Sequence, residues 1–300
     1  MDDLRIGMVG LDTSHCEAFV NVLNYEDRPH FVPGGKIVAA YPGGSELCAV
    51  SRDRVGKFTE AMRDKHGVAI CDSIQEVVDQ VDAISLNSAD GRQHLEQFEI
   101  LAEYGKPVFV DKPLACSFEE AGRMADIASD RGVPLMSASS IRFSAGVIGL
   151  VGEGEKVGSC EAFGAMYILD DYPTYFWYGV HGADLLFSYM GRGCSTARAV
   201  HQEEMDLLVG VWDDGRIGTV RGLRFSQHQF GCCVFTDKST AHGVASSEPP
   251  GYSLLLEQVM RFFQTGVSPV EIGETVEIMA FLDAAEASLA KGGEAVDLPR

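Results

Sequence analysis

Short apolar runs alternate with helical periodicities through the first half of the chain. Arg5 to Val9, Ile37 to Tyr41, Ala69 to Cys71, Ala83 to Asn87, Val108 to Val110 and Pro134 to Ser137 read as strands. Their nearly unbroken apolar character suits strands buried on both faces of a parallel sheet. Between them, apolar residues recur at helical spacing in Cys16 to Leu23, Val55 to His66, Ile74 to Gln80, Leu95 to Tyr104 and Phe118 to Asp130. Strand–helix–strand steps of this length close as right-handed crossovers. Residues 1–140 therefore predict a Rossmann-like, doubly wound parallel sheet, with a polar surface loop from Asn24 to Lys36.

After Ser140 the rhythm changes. Cys160 to Leu169, Leu207 to Trp212, Ile217 to Leu223 and Cys232 to Phe235 read as strands, with a turn at Asp213-Asp214-Gly215. An apolar helix starts around Tyr178 and stops near Met190-Gly191, and two more span Leu254 to Thr265 and Ile272 to Ala290. Residues 141–300 thus predict a second, α+β domain with a mostly antiparallel sheet, and the whole chain is of the α/β class.

Composition narrows the partners. A net charge of −20 with no basic cluster speaks against nucleic acid and anionic membranes. The 8 cysteines contain no C-x-x-C pair, so they read as reduced, buried thiols of a cytoplasmic protein. The N-terminus enters a strand without a basic and apolar leader, and no apolar stretch is long enough to span a membrane.

The chemistry is expected at the carboxyl ends of the parallel strands. After the first strand comes Gly10-Leu11-Asp12-Thr13-Ser14-His15, which keeps the first glycine of a dinucleotide turn and has Asp12 and His15 in the second and third glycine places. A carboxylate there opposes a diphosphate, which rests on bare N–H groups at a helix N-terminus. After the fifth strand, Asp111-Lys112-Pro113 aims a lysine at the same edge, as an oxygen donor or as an ordinary surface lysine. His181 and Asp184 lie three apart on one helix face, either an acid/base with its supporting carboxylate or a core histidine beside a salt bridge. Asp12, His15, His94 and His181 contain no short-range ligand pair, so no metal site is expected.

Taken together, the altered glycine turn, Asp111-Lys112-Pro113 and Gly179-Val180-His181-Gly182-Ala183-Asp184-Leu185-Leu186 before a Met-Gly stop resemble the Gfo/Idh/MocA oxidoreductases. Asn87 to His94 resembles that family's loop after strand four, and Arg142-Phe143 its crossing between domains. The resemblance implies an NAD(P)-dependent dehydrogenase of a sugar, cyclitol or polyol, and a homo-oligomer formed through the C-terminal sheet. It assigns proton transfer to His181 with Asp184 in support, and oxygen stabilisation to Lys112. Gly10, Leu11, Asp12, Thr13, Ser14, His15, Tyr41, Asn87, His94, Asp111 and Lys112 would meet the cofactor. Arg142, Tyr167, Asp171, Tyr175 and Trp177 would meet the carbohydrate-like substrate, an aromatic and carboxylate wall suited to ring faces and hydroxyls, although the aromatics equally suit a dimer interface. Strand two ends in Tyr41-Pro42-Gly43-Gly44-Ser45 without the acid of an NAD site, and Arg52 and Arg54 either meet a 2′-phosphate, which leans the choice between NAD and NADP toward NADP, or simply cap the next helix region.

Two positions depart from the family pattern, Asp12 and Trp177, which replaces an aspartate four residues before the histidine. They favour an alternative: a non-redox or inactive relative using the cleft for another ligand or as a scaffold. Lys112 and His181 favour the enzyme.

Overall fold

The computed structural model describes residues 3–225 and 229–300. Along the first half, β1 (Leu4–Val9), α1 (His15–Leu23), β2 (Gly35–Tyr41), α2 (Ala49–Arg52), α3 (Val55–Glu60), β3 (Ala69–Ile70), α4 (Ile74–Val78), β4 (Ala83–Leu86), α5 (His94–Leu101), β5 (Val108–Asp111), α6 (Phe118–Arg131) and β6 (Leu135–Ala138) follow one another. The second half holds β7 (Val157–Ala165), α7 (Gly179–Met190), β8 (Cys194–Gln202), β9 (Met205–Trp212), β10 (Ile217–Leu223), β11 (Gly231–Thr236), β12 (Thr240–Val244), α8 (Gly251–Thr265), α9 (Ile272–Ala290) and β13 (Val296–Asp297).

Two compact units emerge. The first runs to Ala115, resumes over Glu119–Ala138 and takes in Tyr252–Ile272; the second holds Cys116–Phe118, Ser139–Gly251 and Gly273–Arg300. Nothing in the rhythm of the sequence signals that the helix after Gly251 packs with the first unit.

In the first unit the strands pair in the order β3-β2-β1-β4-β5-β6, all parallel. Every residue of β4 and β5 is buried, and only Ser85 and Asp111 interrupt their apolar sequences. Helix α1 buries Cys16, Phe19, Val20 and Leu23, an i, i+3, i+4, i+7 stripe. The predicted helix from Val55 is continued past Glu60 by a π-helical turn over Ala61–Lys65.

In the second unit the order is β12-β11-β7-β10-β9-β8-β13, antiparallel except where β7 and β10 run parallel. Helix α7 lies against β7, β10 and β11. It approaches closely because a Cβ on Gly182 would stand 2.5 Å from the Val220 side chain. Phe187, Trp212 and Phe281 stack at 5.4 and 5.7 Å in its core. Strands β8, β12 and β13 escape the sequence reading. Strand β8 reads CSTARAVHQ, with Arg198, Val200, His201 and Gln202 exposed, while β13 has 2 residues, so neither shows a clean period. All 8 cysteines are free, and only Cys233 is not fully buried. Among the described residues no helix is long and apolar enough to cross a membrane.

Candidate functional site

The turn after β1 answers the electrostatic objection to Asp12. Gly10 takes φ +90°, and a Cβ there would meet the Ser88 backbone nitrogen at 2.3 Å, so the loops after β1 and β4 touch backbone to backbone. Gly10 N–H donates to Tyr41 O (3.0 Å) and Leu11 N–H to Pro42 O (2.7 Å). The chain then turns Asp12 inward, where it is fully buried. Its carboxylate accepts from Ser51 Oγ (2.5 Å) and from the Ala89 N–H (2.9 Å). Burial pushes the Asp12 carboxyl up, against the hydrogen bonds from Ser51 and Ala89. Asp12 is thus a tie between loops and does not project its charge toward α1. Thr13 is half-buried and Ser14 exposed at the α1 N-terminus, where the Ser14 side chain makes no cap.

Further bonds join the loops after β2 and β4. Ser45 Oγ donates to Asp90 Oδ2 (2.6 Å), Arg92 Nη2 to Leu47 O (3.2 Å) and Gln93 Nε2 to Gly44 O (3.1 Å). Asn87, buried at the end of β4, accepts from Ser85 Oγ through Oδ1 (2.5 Å), but its Nδ2 and the Gln93 Oε1 are buried without a hydrogen-bond partner among the described residues. His94 faces backbone carbonyls with both ring nitrogens, Pro113 O at 2.9 Å and Ser88 O at 2.8 Å. It fastens the loop after β4 to the loop after β5, so its ring is spent on structure instead of facing the cofactor as expected.

At the end of β5, Asp111 Oδ2 pairs with His15 Nδ1, and His15 Nε2 meets Tyr252 OH at 2.8 Å. Burial raises the Asp111 carboxyl, but the charges of His15 and then Lys112 outweigh it and hold it below the ordinary carboxylate range. Lys112 is half-buried and joined to Pro113 by a cis peptide. Tyr252, on α8, had no signal in the sequence: it lies 237 residues from His15.

In the second unit His181 sits in the first turn of α7, half-buried between the rings of Tyr178 (5.4 Å) and Phe230 (5.3 Å). Its Nδ1 lies 2.6 Å from Ser139 Oγ. Asp184, expected to support it, is engaged elsewhere. It accepts from the Ser139 N–H (2.6 Å) and from Arg142 Nε (2.8 Å). Arg142 also pairs with Glu274, and its side chain is only 10% exposed. A guanidinium between two carboxylates is charge-satisfied within its own unit, so Arg142 holds structure where the sequence reading gave it substrate. Burial alone would lower its pKa, but Asp184 and Glu274 raise it.

The expected substrate wall divides. Tyr167 and Asp171 are exposed and Trp177 is half-buried, with Trp177 against Tyr172 at 5.4 Å and Tyr167 against Tyr178 at 4.8 Å. Tyr175 is fully buried, its hydroxyl 3.4 Å from Asp206. Enclosed in the second unit, with its hydroxyl facing Asp206, Tyr175 belongs to the core.

Residues 4–139 match the model of an oxidoreductase family with an NAD-binding Rossmann fold, Gfo/Idh/MocA. Over that segment the chain is similar to the Gfo/Idh/MocA family. An uncharacterized oxidoreductase of Streptococcus pneumoniae serotype 4 is 30% identical over 90 residues, 29% of this chain and 24% of that protein. The chain thus aligns with about a quarter of that relative's length. The fold is shared over the whole chain with myo-inositol 2-dehydrogenase from Lactobacillus plantarum, at 18% identity, a TM-score of 0.76, and 99% and 100% of the two chains covered. The myo-inositol dehydrogenase of Lactobacillus casei, solved with NAD(H) and myo-inositol, is 13% identical with a TM-score of 0.76 over 100% and 98% of the chains. Asp111-Lys112-Pro113 lies within the matched segment, at the end of β5, and His181 lies beyond it, at the start of α7.

Proposed function

We propose that this Gfo/Idh/MocA protein is an NAD(P)-linked dehydrogenase of a cyclitol, sugar or similar polyol. The observation that carries the reading is the donor and acceptor left open in the loop after β4. Asn87 Nδ2 and Gln93 Oε1 are buried and unpaired among the described residues, and buried polar atoms in folded proteins are nearly always paired. They lie in the loop that follows a strand central to the sheet, as does the start of α1, where the Ser14 side chain makes no cap and Asp12 bonds to Ser51 and Ala89. These residues fit a dinucleotide: the N–H groups of Thr13 and Ser14 for phosphate, Asn87 and Gln93 for polar groups of the nucleoside.

A bound nicotinamide supplies a carbon that accepts hydride from the substrate's carbinol carbon. His181 takes the hydroxyl proton as that hydride leaves, at the ring nitrogen that does not face Ser139. Lys112 is the donor that would stabilise negative charge on a substrate oxygen. Tyr167, Asp171 and Trp177 offer ring faces and a carboxylate to a polyol. The inositol dehydrogenases of the same fold support a substrate of that class. Arg52 donates to Glu46 O and stands near Asp53, which leaves Arg54 as the side chain on which a preference for NADP over NAD would rest. The same reading carries self-association through the second sheet, where Val200, Ile217 and Val244 are exposed.

A second reading, a relative without redox activity, draws on the hydrogen bonds that join the loops after β2 and β4. Those bonds occupy the edge of the crevice in which an adenosine would lie.

A thermal-shift titration with NAD, NADH, NADP and NADPH separates the two. A binder present at a hundred times its Kd stabilises the protein by about 2.7 kcal/mol. A shift with one cofactor pair, followed by hydride transfer from an inositol or sugar, is the expected result. Absence of any shift, in protein that carries no cofactor from purification, overturns the dehydrogenase and leaves the second reading.

A further inference from the structure

We propose that Ser139 is the positioning residue of His181 and does the work of the carboxylate that Trp177 replaces. The proposal rests on the dehydrogenase reading for its catalytic consequence, but its structural content stands apart from it. Ser139 follows β6, is 1% exposed, and places Oγ 2.6 Å from His181 Nδ1. Its hydroxyl also accepts the Ile141 N–H at 3.1 Å, and its own N–H donates to Asp184 Oδ2 at 2.6 Å. Asp184 in turn is held by Arg142, and Arg142 by Glu274. The result is a buried chain, Glu274–Arg142–Asp184–Ser139–His181, that fixes one edge of the imidazole.

A histidine that accepts protons at Nε2 must carry its other proton on Nδ1, and that N–H needs an acceptor. Ser139 Oγ has two acceptor lone pairs; Ile141 uses one, and His181 Nδ1–H takes the second. The rings of Tyr178 and Phe230 pack against the imidazole at steep angles and restrict its position, and the hydroxyl selects its tautomer. A neutral hydroxyl does this without lending a negative charge. With a nicotinamide bound to take the hydride, the substrate O–H proton would move to Nε2 while the Nδ1–H bond to Ser139 stays in place.

The test reads the tautomer directly by long-range proton–nitrogen correlation spectra of the imidazoles in nitrogen-15-labelled protein, with the signal assigned through His181→Gln. The expected result is an Nδ1–H tautomer in the wild type, a shift to Nε2–H in Ser139→Ala, and retention of Nδ1–H in Ser139→Thr. An Nε2–H tautomer in the wild type overturns the proposal even if Ser139→Ala fails to fold. So does an unchanged tautomer in a folded Ser139→Ala. Where hydride transfer is measurable, Ser139→Ala lowers kcat by roughly a hundredfold with KM unchanged, the scale of a misplaced catalytic group. The spectra need neither cofactor nor substrate, so a failed dehydrogenase reading and a failed role for Ser139 give different results.

Discussion

Asp12 and Asp111 close the loops after β1 and β5, both are nearly sealed from solvent, and their carboxyl groups are shifted in opposite directions. Asp12 meets a hydroxyl and an amide, neutral donors that soften the cost of burying a charge without cancelling it. Asp111 meets an imidazole and has an ammonium next to it in the chain, and that positive charge overcomes the same burial cost. Burial sets the cost, and the charge of the partner decides the outcome. A sequence shows two aspartates at strand ends; only their partners tell which one is a tie and which an ion pair.

Removing the charge of Asp111 gives the largest expected effect. Asp111→Asn leaves His15 without its carboxylate and should lower the unfolding free energy by about 3–5 kcal/mol at pH 7, measured by urea denaturation. Because the folded Asp111 carboxyl lies below its unfolded value of 3.8, its contribution is fully present above that pH. It disappears as pH falls through the lower folded value, and the gap between wild type and variant should close there. A gap of equal size at all pH values would deny the charge pairing.

An intermediate effect is expected at Asp12. Ser51→Ala removes one of two donors to a buried carboxylate and should cost about 1–3 kcal/mol at pH 7. The folded Asp12 carboxyl keeps its proton to higher pH than the unfolded one, so stability drains away as pH rises above 3.8 through the folded value. Asp12→Asn, uncharged at every pH, should therefore gain on the wild type across that window. If Asp12→Asn loses ground as pH rises, Asp12 is a charge the fold needs, and the contrast with Asp111 fails.

The smallest effect belongs to the outer end of the Asp111 pair. Tyr252→Phe deletes the hydroxyl 2.8 Å from His15 Nε2 and should cost about 0.5–1.5 kcal/mol, while Asp111 and His15 remain paired. A loss as large as that of Asp111→Asn would make Tyr252 an equal partner in the pair.

The parallel sheet was legible because each of its strands is a short apolar run between helices of the right length, a pattern that local periodicity reports. The second sheet was only partly so: β8 mixes polar and apolar residues, and β13 is recognisable only as the partner of β8. Of the candidate site, the residue types at Lys112, His181 and Asp111 were visible, since each lies beside a strand end or helix start with its own motif. Their partners were not. Ser139, Ser51 and Tyr252 stand 42, 39 and 237 residues from the groups they bond, and a serine or tyrosine carries no mark of such a pairing.

The sequence by itself determined the parallel sheet, the change of architecture near Ser140 and the family motifs, because periodicity and turn chemistry act over a few residues. Tertiary structure alone decided that Asp12 points inward, that Arg142 and Tyr175 belong to the interior, and that Ser139, not Asp184, holds His181. Those outcomes depend on which buried groups find partners across long stretches of chain, and the free energy of a buried charge or hydroxyl is set by that partner more than by its own identity.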